Sequence, residues 1–257
     1  MFKAIRIAGL VTVLVVVGVG SWQTRRRLAA WDLPIRAVVY PIAGDDGDVT
    51  RRYVREVRAE TFQPIETFLD EEARSFGIEP RYGPPLKVRL GPEVKSLPPP
   101  PPVDGNVASI MLWSLKLRWW AWKVDRYEGL SPDVRLFVIY YDPARTETLA
   151  HSLGLEKGWI GVANVFASSA LAGSNNVVIA HELLHTLGAT DKYDPRTAQP
   201  RFPEGYAKPD ARPRYPQRYA EIMAGRIPVS ESESSIPPSL NATVVGDATA
   251  REINWVR

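Results

Sequence analysis

"IAHELLHTLGATDKYD", residues 179–194, is the stretch on which the reading of this chain turns. The 257 residues hold only three histidines, and two of them, His181 and His185, stand here four positions apart with Glu182 between. Val177, Ile179, Leu183, Leu184 and Leu187 frame them, the pattern of a helix packed into a core. Helical spacing places both imidazoles on one face, one turn apart, where they can share a metal ion. Glu182, one residue on, points about 100° away from His181 and so stands beside such an ion rather than on it. The H-E-x-x-H arrangement has zinc binding plus a general base as its mechanics.

A zinc site of this kind needs a third protein ligand. A helix continued to residue 191 would carry that position about 15 Å past His181 along its axis. Gly188 removes the difficulty, because glycine takes the left-handed conformation that ends a helix. The chain can then turn back and deliver Asp191, leaving a fourth position open for water. Glu221, from a later element, and Asp194 are the other carboxylates able to fill the place; Asp194 also suits a turn with Pro195. At ordinary residue usage, the two histidines, Glu182, Gly188 and Asp191 coincide by accident in roughly one such chain in 100,000.

The rest of the composition narrows the class. The length suits one sizeable domain or two small ones. Net charge is +3, with cations scattered among acids, which speaks against a nucleic acid partner. There are no cysteines, so disulfides and thiolate metal sites are excluded. At the N-terminus Lys3 and Arg6 precede an uncharged apolar run from Ile7 to Trp22, followed by Arg25, Arg26 and Arg27. The run has no polar face and is expected to be a membrane segment: a signal anchor with the remainder outside the cytoplasm, or else a cleaved signal peptide. The arginine triplet opposes that orientation under the positive-inside rule.

Along the chain, "LPIRAVVYPIAG" (33–44), "PLKVRLGPEV" (85–94), "DVRLFVIYYD" (133–142) and "EKGWIGVANVFAS" (156–168) predict strands. Thr50 to Phe76 predicts one long helix bent near Pro64. Asn106 to Asp125 predicts a second, with Trp113, Trp119, Trp120 and Trp122 packed against a sheet in preference to forming a ligand platform or a membrane contact. Residues 194–216 form a long irregular loop, 230–239 a polar linker, and the tail a short helix capped by Asp247. His151 is expected to be an ordinary loop histidine. Packing is the expected role of Tyr193, Tyr215 and Tyr219; each could also supply a phenol to the oxyanion, and nothing in the sequence selects among them.

"HELLHTLGATD" resembles the extended zinc motif of the metzincin metallopeptidases, in the variant with aspartate as third ligand. Those proteins carry a methionine-containing turn beneath the metal, and Met223 in "AEIMAGRIP" matches it in order and distance. The resemblance implies an α+β, α/β-like fold: a twisted mixed sheet with backing helices, an active-site helix, and an irregular C-terminal subdomain. With the membrane segment ahead of it, the layout becomes 1–27 for that segment and 28–257 for a peptidase-like domain, divided into 28–190 and 191–257. The resemblance further implies one catalytic zinc ion on His181, His185 and Asp191, with Glu182 as general base and Gly188 and Met223 as supports. It also implies an edge strand that pairs with an extended peptide substrate, expected at Gly161, Val162, Ala163 and Asn164. The expectation is thus a membrane-anchored, extracytoplasmic zinc endopeptidase. A non-catalytic, membrane-tethered peptide-binding module and a zinc amidase acting on cell-wall peptides are the alternatives.

Overall fold

A computed structural model describes residues 19–20, 22–102, 106–156 and 158–256. The expected membrane segment at 7–22 lies almost wholly outside them. Among the described residues no helix is long and apolar enough to cross a membrane.

The structure is a mixed α/β arrangement with a five-stranded, mostly parallel sheet. Its elements begin with helix α1 (residues 22–30), strand β1 (Ile35–Ala43), helices α2 (Asp48–Glu56) and α3 (Gln63–Ser75), and strand β2 (Leu86–Leu90). Helix α4 (Val107–Val124), strands β3 (Val134–Tyr141), β4 (Leu153–Leu155) and β5 (Ile160–Phe166), and helix α5 (Ala172–Thr186) follow. The C-terminal part holds the two-residue strands β6 (Ala220–Glu221), β7 (Ile227–Pro228), β8 (Ser234–Ser235) and β9 (Thr243–Val244), and the short helix α6 (Asp247–Glu252). The main sheet runs β2-β1-β3-β5-β4, with only β4 antiparallel.

Sheets of this type are covered on both faces, so their strands are continuously apolar. Period-two alternation divides each strand between two cores. In β1, Ile35, Ala37 and Val39 face one core, while Val38, Tyr40 and Ile42 face the other. In β3, Leu136, Val138 and Tyr140 join the first, and Phe137 and Ile139 the second. Helices α2, α3 and α5 cover the first face; among the described residues α4 is the helix that covers the second, through Leu117, Trp120 and Ala121. Winding explains this. The path steps from β1 to β2 in one direction, then back across β1 to β3, and right-handed crossovers in opposite directions put their helices on opposite faces.

Several expectations are revised. The helix expected over 50–76 is two helices, separated by Val57, an extended Arg58 and a 3₁₀ turn at Ala59–Phe62. Pro64 sits in the first turn of α3, where its missing N–H costs nothing, whereas in mid-helix its ring would clash with the preceding turn. The strand expected from 156 begins at Ile160, and the unanticipated β4 pairs with it on its outer side. The polar stretch near 230 contributes β8 to a small hairpin with β7. Asp247 is the first residue of α6 rather than its cap, which is Gly246.

The chain's beginning and end share the larger core. Trp31 donates from Nε1 to the Ile253 carbonyl at 2.7 Å and packs edge-on against Trp255 with ring centroids 5.4 Å apart. Of the arginine triplet, Arg25 pairs with Glu156 at 2.8 Å and Arg27 with Asp133. Trp31→Ala, which removes a buried ring and leaves a carbonyl unpaired, is expected to destabilise the fold by about 3–5 kcal/mol, measured by urea unfolding.

Candidate metal centre

Helix α5 ends directly after its second histidine. The Ala189 amide donates to the Leu184 carbonyl at 3.1 Å and the Gly188 amide to the His185 carbonyl at 3.2 Å, the hydrogen-bond pair of a Schellman stop. Gly188 adopts φ +108°, a conformation that side-chain-bearing residues rarely take. The chain reverses there, and the Ala189 carbonyl comes within 2.8 Å of His185 Nδ1. One turn therefore ends the helix, orients His185 and sends residues 190–191 back toward the imidazoles.

His181 Nε2 and His185 Nε2 lie 3.0 Å apart, and Asp191 Oδ1 is 3.1 Å from each. Both Nδ1 atoms face backbone carbonyls, Ile222 for His181 at 3.0 Å and Ala189 for His185. A carbonyl only accepts, so each Nδ1 carries the proton and each Nε2 presents a lone pair. Three acceptors thus converge with no donor among them. Such a cluster needs a cation or an added proton. In tetrahedral zinc the bond lengths imply ligand atoms about 3.3 Å from one another. The observed triangle is close to that size, so these residues fit a small divalent cation.

Two carboxylates compete for the third place. The ligand atoms of His181, Glu182 and His185 also fall within 4.8 Å of one another. Asp191 Oδ1 is the carboxylate oxygen that meets both rings at ligand spacing, 3.1 Å from each. Glu182 is buried, and its Oε2 has no protein hydrogen-bond partner. Burial pushes its carboxyl above the ordinary range, against the pull of His181 and His185. An unpaired oxygen beside a metal position is placed to hold a water.

The remaining candidates separate cleanly. Glu221 is fully buried and accepts from Ala224 N at 3.0 Å, Gly246 N at 3.1 Å and Thr249 Oγ1 at 2.7 Å. It ties the turn containing Met223 to α6 and leaves the Ile222 carbonyl facing His181. Asp194 accepts from Arg196 N in a local turn. Tyr215 bonds to Tyr206 at 2.8 Å, and the Tyr219 ring lies under Arg218. Tyr193 is the tyrosine near the imidazoles, with its ring 6.3 Å from that of His181; burial and then the Asp191 charge push its phenol up to about 12. His151 is exposed, and its carbonyl accepts from Asn164.

The expected edge strand is corrected. β5 lies between β3 and β4, so Gly161 and Val162 are paired on both sides. Ala163 pairs with Val138 of β3, and the Asn164 amide donates to Ser152 Oγ. Of the sheet's two edge strands, β2 and β4, it is β4 that borders this site. It lies directly on α5 because Gly154 has no side chain: a Cβ there would collide with His185 Cβ and come 2.8 Å from the Glu182 carbonyl.

Contacts distant in sequence hold the Asp191 loop. Glu252 of α6 accepts from Thr190 N at 2.9 Å, Thr190 Oγ1 at 2.7 Å and the buried Lys192 Nζ at 2.7 Å. The Lys192 amide donates to the Met223 carbonyl at 2.9 Å, and Arg201 to the Asp191 carbonyl at 2.6 Å. Nothing in the sequence marks Glu252, whereas Lys192 had one signal, its place beside Asp191.

No protein-family profile matches the chain, and no curated protein does. Among solved structures, the chain has a TM-score of 0.37 and 14% identity to OgpA from Akkermansia muciniphila, over 86% of this chain and 60% of that one. The chain therefore spans less than two thirds of that neighbour's length, and at this score nothing about activity passes between them.

Burial alone would lower the His181 imidazolium, but Asp191, Glu182 and the Ile222 carbonyl outweigh it and raise it to about 9. The two rings hold Asp191 well below the carboxylate range, against its burial. Below about 9 a binding cation must displace a proton, so affinity for Zn²⁺ is expected to rise with pH, about tenfold per unit, and to level off above that point. Chelator competition across pH measures this slope. In the same assay Asp191→Ala is expected to lose affinity by at least ~100-fold; unchanged affinity would remove Asp191 from the site.

Proposed function

We propose that the chain is a zinc-dependent endopeptidase of metzincin type, held at a membrane by its N-terminal apolar segment with the domain outside the cytoplasm. One observation carries the reading: three acceptors converge beside a buried carboxyl with an unpaired oxygen. A structural zinc site would use four protein ligands, and it would not need Glu182.

A zinc ion held by His181, His185 and Asp191 supplies Lewis acidity, acidifying water and polarising a carbonyl. In this proposal Glu182 holds the water through the oxygen that no protein group engages. From that place its carboxylate can take the water's proton and hand it to the leaving amine. The backbone carbonyls on both Nδ1 atoms keep the tautomer in which both Nε2 atoms face inward. The Tyr193 phenol stays protonated and able to donate at neutral pH, which suits it to the developing oxyanion. The free edge of β4 gives an extended peptide a strand to pair with, through main-chain bonds that make little demand on sequence. A turn carrying buried Met223 and presenting the Ile222 carbonyl to His181 agrees with the metzincin resemblance.

Glu182→Gln is expected to keep its zinc, measured by metal analysis, while hydrolysis of a peptide library falls by at least ~100-fold. Full turnover by that variant would eliminate the general-base role. A wild-type protein that holds zinc but cleaves no peptide or amide would favour the binding-module alternative.

A further inference from the structure

Helix α4 is apolar on the wrong side as well as the right one. Leu117, Trp120 and Ala121 face the sheet, and the Trp120 ring sits 4.6 Å from that of Phe137. The four-tryptophan cluster, expected to be core, divides. Trp113 and Trp120 turn inward, with their Nε1 atoms donating to the Pro99 carbonyl and Ser96 Oγ, while Trp119 and Trp122 turn outward. Met111, Leu115, Trp119 and Trp122 are 64, 59, 62 and 74% exposed. Their spacing of four, four and three residues makes one continuous stripe, opposite the core-facing side. A helix with apolar stripes on two opposite sides needs a cover for the second, and no second layer covers α4 among the described residues.

We propose that this outer face of α4 is an interfacial membrane-docking surface that lies in the headgroup region of an anionic bilayer. Two observations choose lipid as the occupant. The first is charge: α4 carries Lys116, Arg118 and Lys123 and no acidic residue. Lys116 and Lys123 flank the stripe, and Lys123 Nζ rests 5.3 Å from the Trp119 ring centroid. Tryptophan over an apolar stripe edged by lysine matches an interfacial helix, whose cations reach the headgroups. α4, like the other described helices, is not long and apolar enough to cross a membrane.

The second is continuity with the chain's own apolar segment, and here the inference rests on the membrane reading of residues 7–22. That segment enters the domain at α1, where Val19 and Trp22 are exposed. Arg25 then pairs with Glu156 at 2.8 Å. Two residues on, the position a Cβ on Gly158 would occupy is 3.1 Å from Arg118 Nε of α4. Glu156 and Gly158 therefore lie beside the point where the tether arrives and the helix with the uncovered stripe, respectively. Docking α4 would fix the orientation of the domain on the bilayer, with the metal centre on the opposite face of the sheet.

The absence of cysteine makes a clean test possible. Leu115→Cys and Tyr82→Cys each introduce a single thiol at an exposed position, the second in the loop between α3 and β2. The full chain, labelled there with an environment-sensitive fluorophore, is reconstituted in vesicles of equal parts phosphatidylcholine and phosphatidylglycerol. The label at 115 is expected to shift to the blue, to be quenched by brominated acyl chains and to lose most of its quenching by aqueous iodide, while the label at 82 stays wet. A protein that floats with the vesicles but keeps its 115 label open to iodide overturns the docking face and leaves the tether reading standing. Failure to float with vesicles overturns both. Protection at 115 without bromine quenching, present only at high protein-to-lipid ratio, assigns the face to a second copy and overturns the proposal.

Discussion

Three lone pairs that face one another are unfavourable in a partly buried site, and the surrounding structure is arranged to keep them so. The two Nε2 atoms and Asp191 Oδ1 could relax apart by small rotations. The carbonyls of Ala189 and Ile222 prevent it by engaging the opposite ring nitrogens. These carbonyls are themselves fixed, one by the helix stop at Gly188 and the other by the turn that Glu221 ties to α6. The repulsion is offset only when a cation or a proton joins the cluster, so the protein around it amounts to a preformed receptor for positive charge.

That receptor is assembled from distant parts of the chain. His181 and His185 arrive together on one helix, but Asp191 depends on Glu252 and Lys192, and the His181 tautomer depends on residues 221–222. The α6 contacts also join the C-terminus to the core that Trp31 helps to close. Stability and site geometry share these contacts, so loosening α6 should disturb both.

The double winding of the sheet has consequences on its two faces. On one, β4 presses against α5 because Gly154 allows it, setting a free strand edge beside the metal position. On the other, α4 has no companion helix among the described residues, and Met111, Leu115, Trp119 and Trp122 are left exposed.

Much of the local chemistry was legible from residues 179–194 alone. The spacing of His181 and His185, the position of Glu182, the bend at Gly188 and the return of Asp191 are properties of helix geometry and of one glycine, which short-range sequence encodes. The strand runs and helix α4 were legible for the same reason. What the sequence could not settle was order and sidedness. Whether β5 is an edge depends on where the short β4 pairs, and periodicity is blind to pairing. Which of four tryptophans is buried depends on the face to which the crossover sends α4. The rejection of Glu221 as a ligand and the clamp by Glu252 depend on a chain end folding back across 28 residues in the first case and 60 in the second. Local pattern specifies what a segment can be, but its partners follow from the winding of the whole chain, and only the tertiary structure decided those.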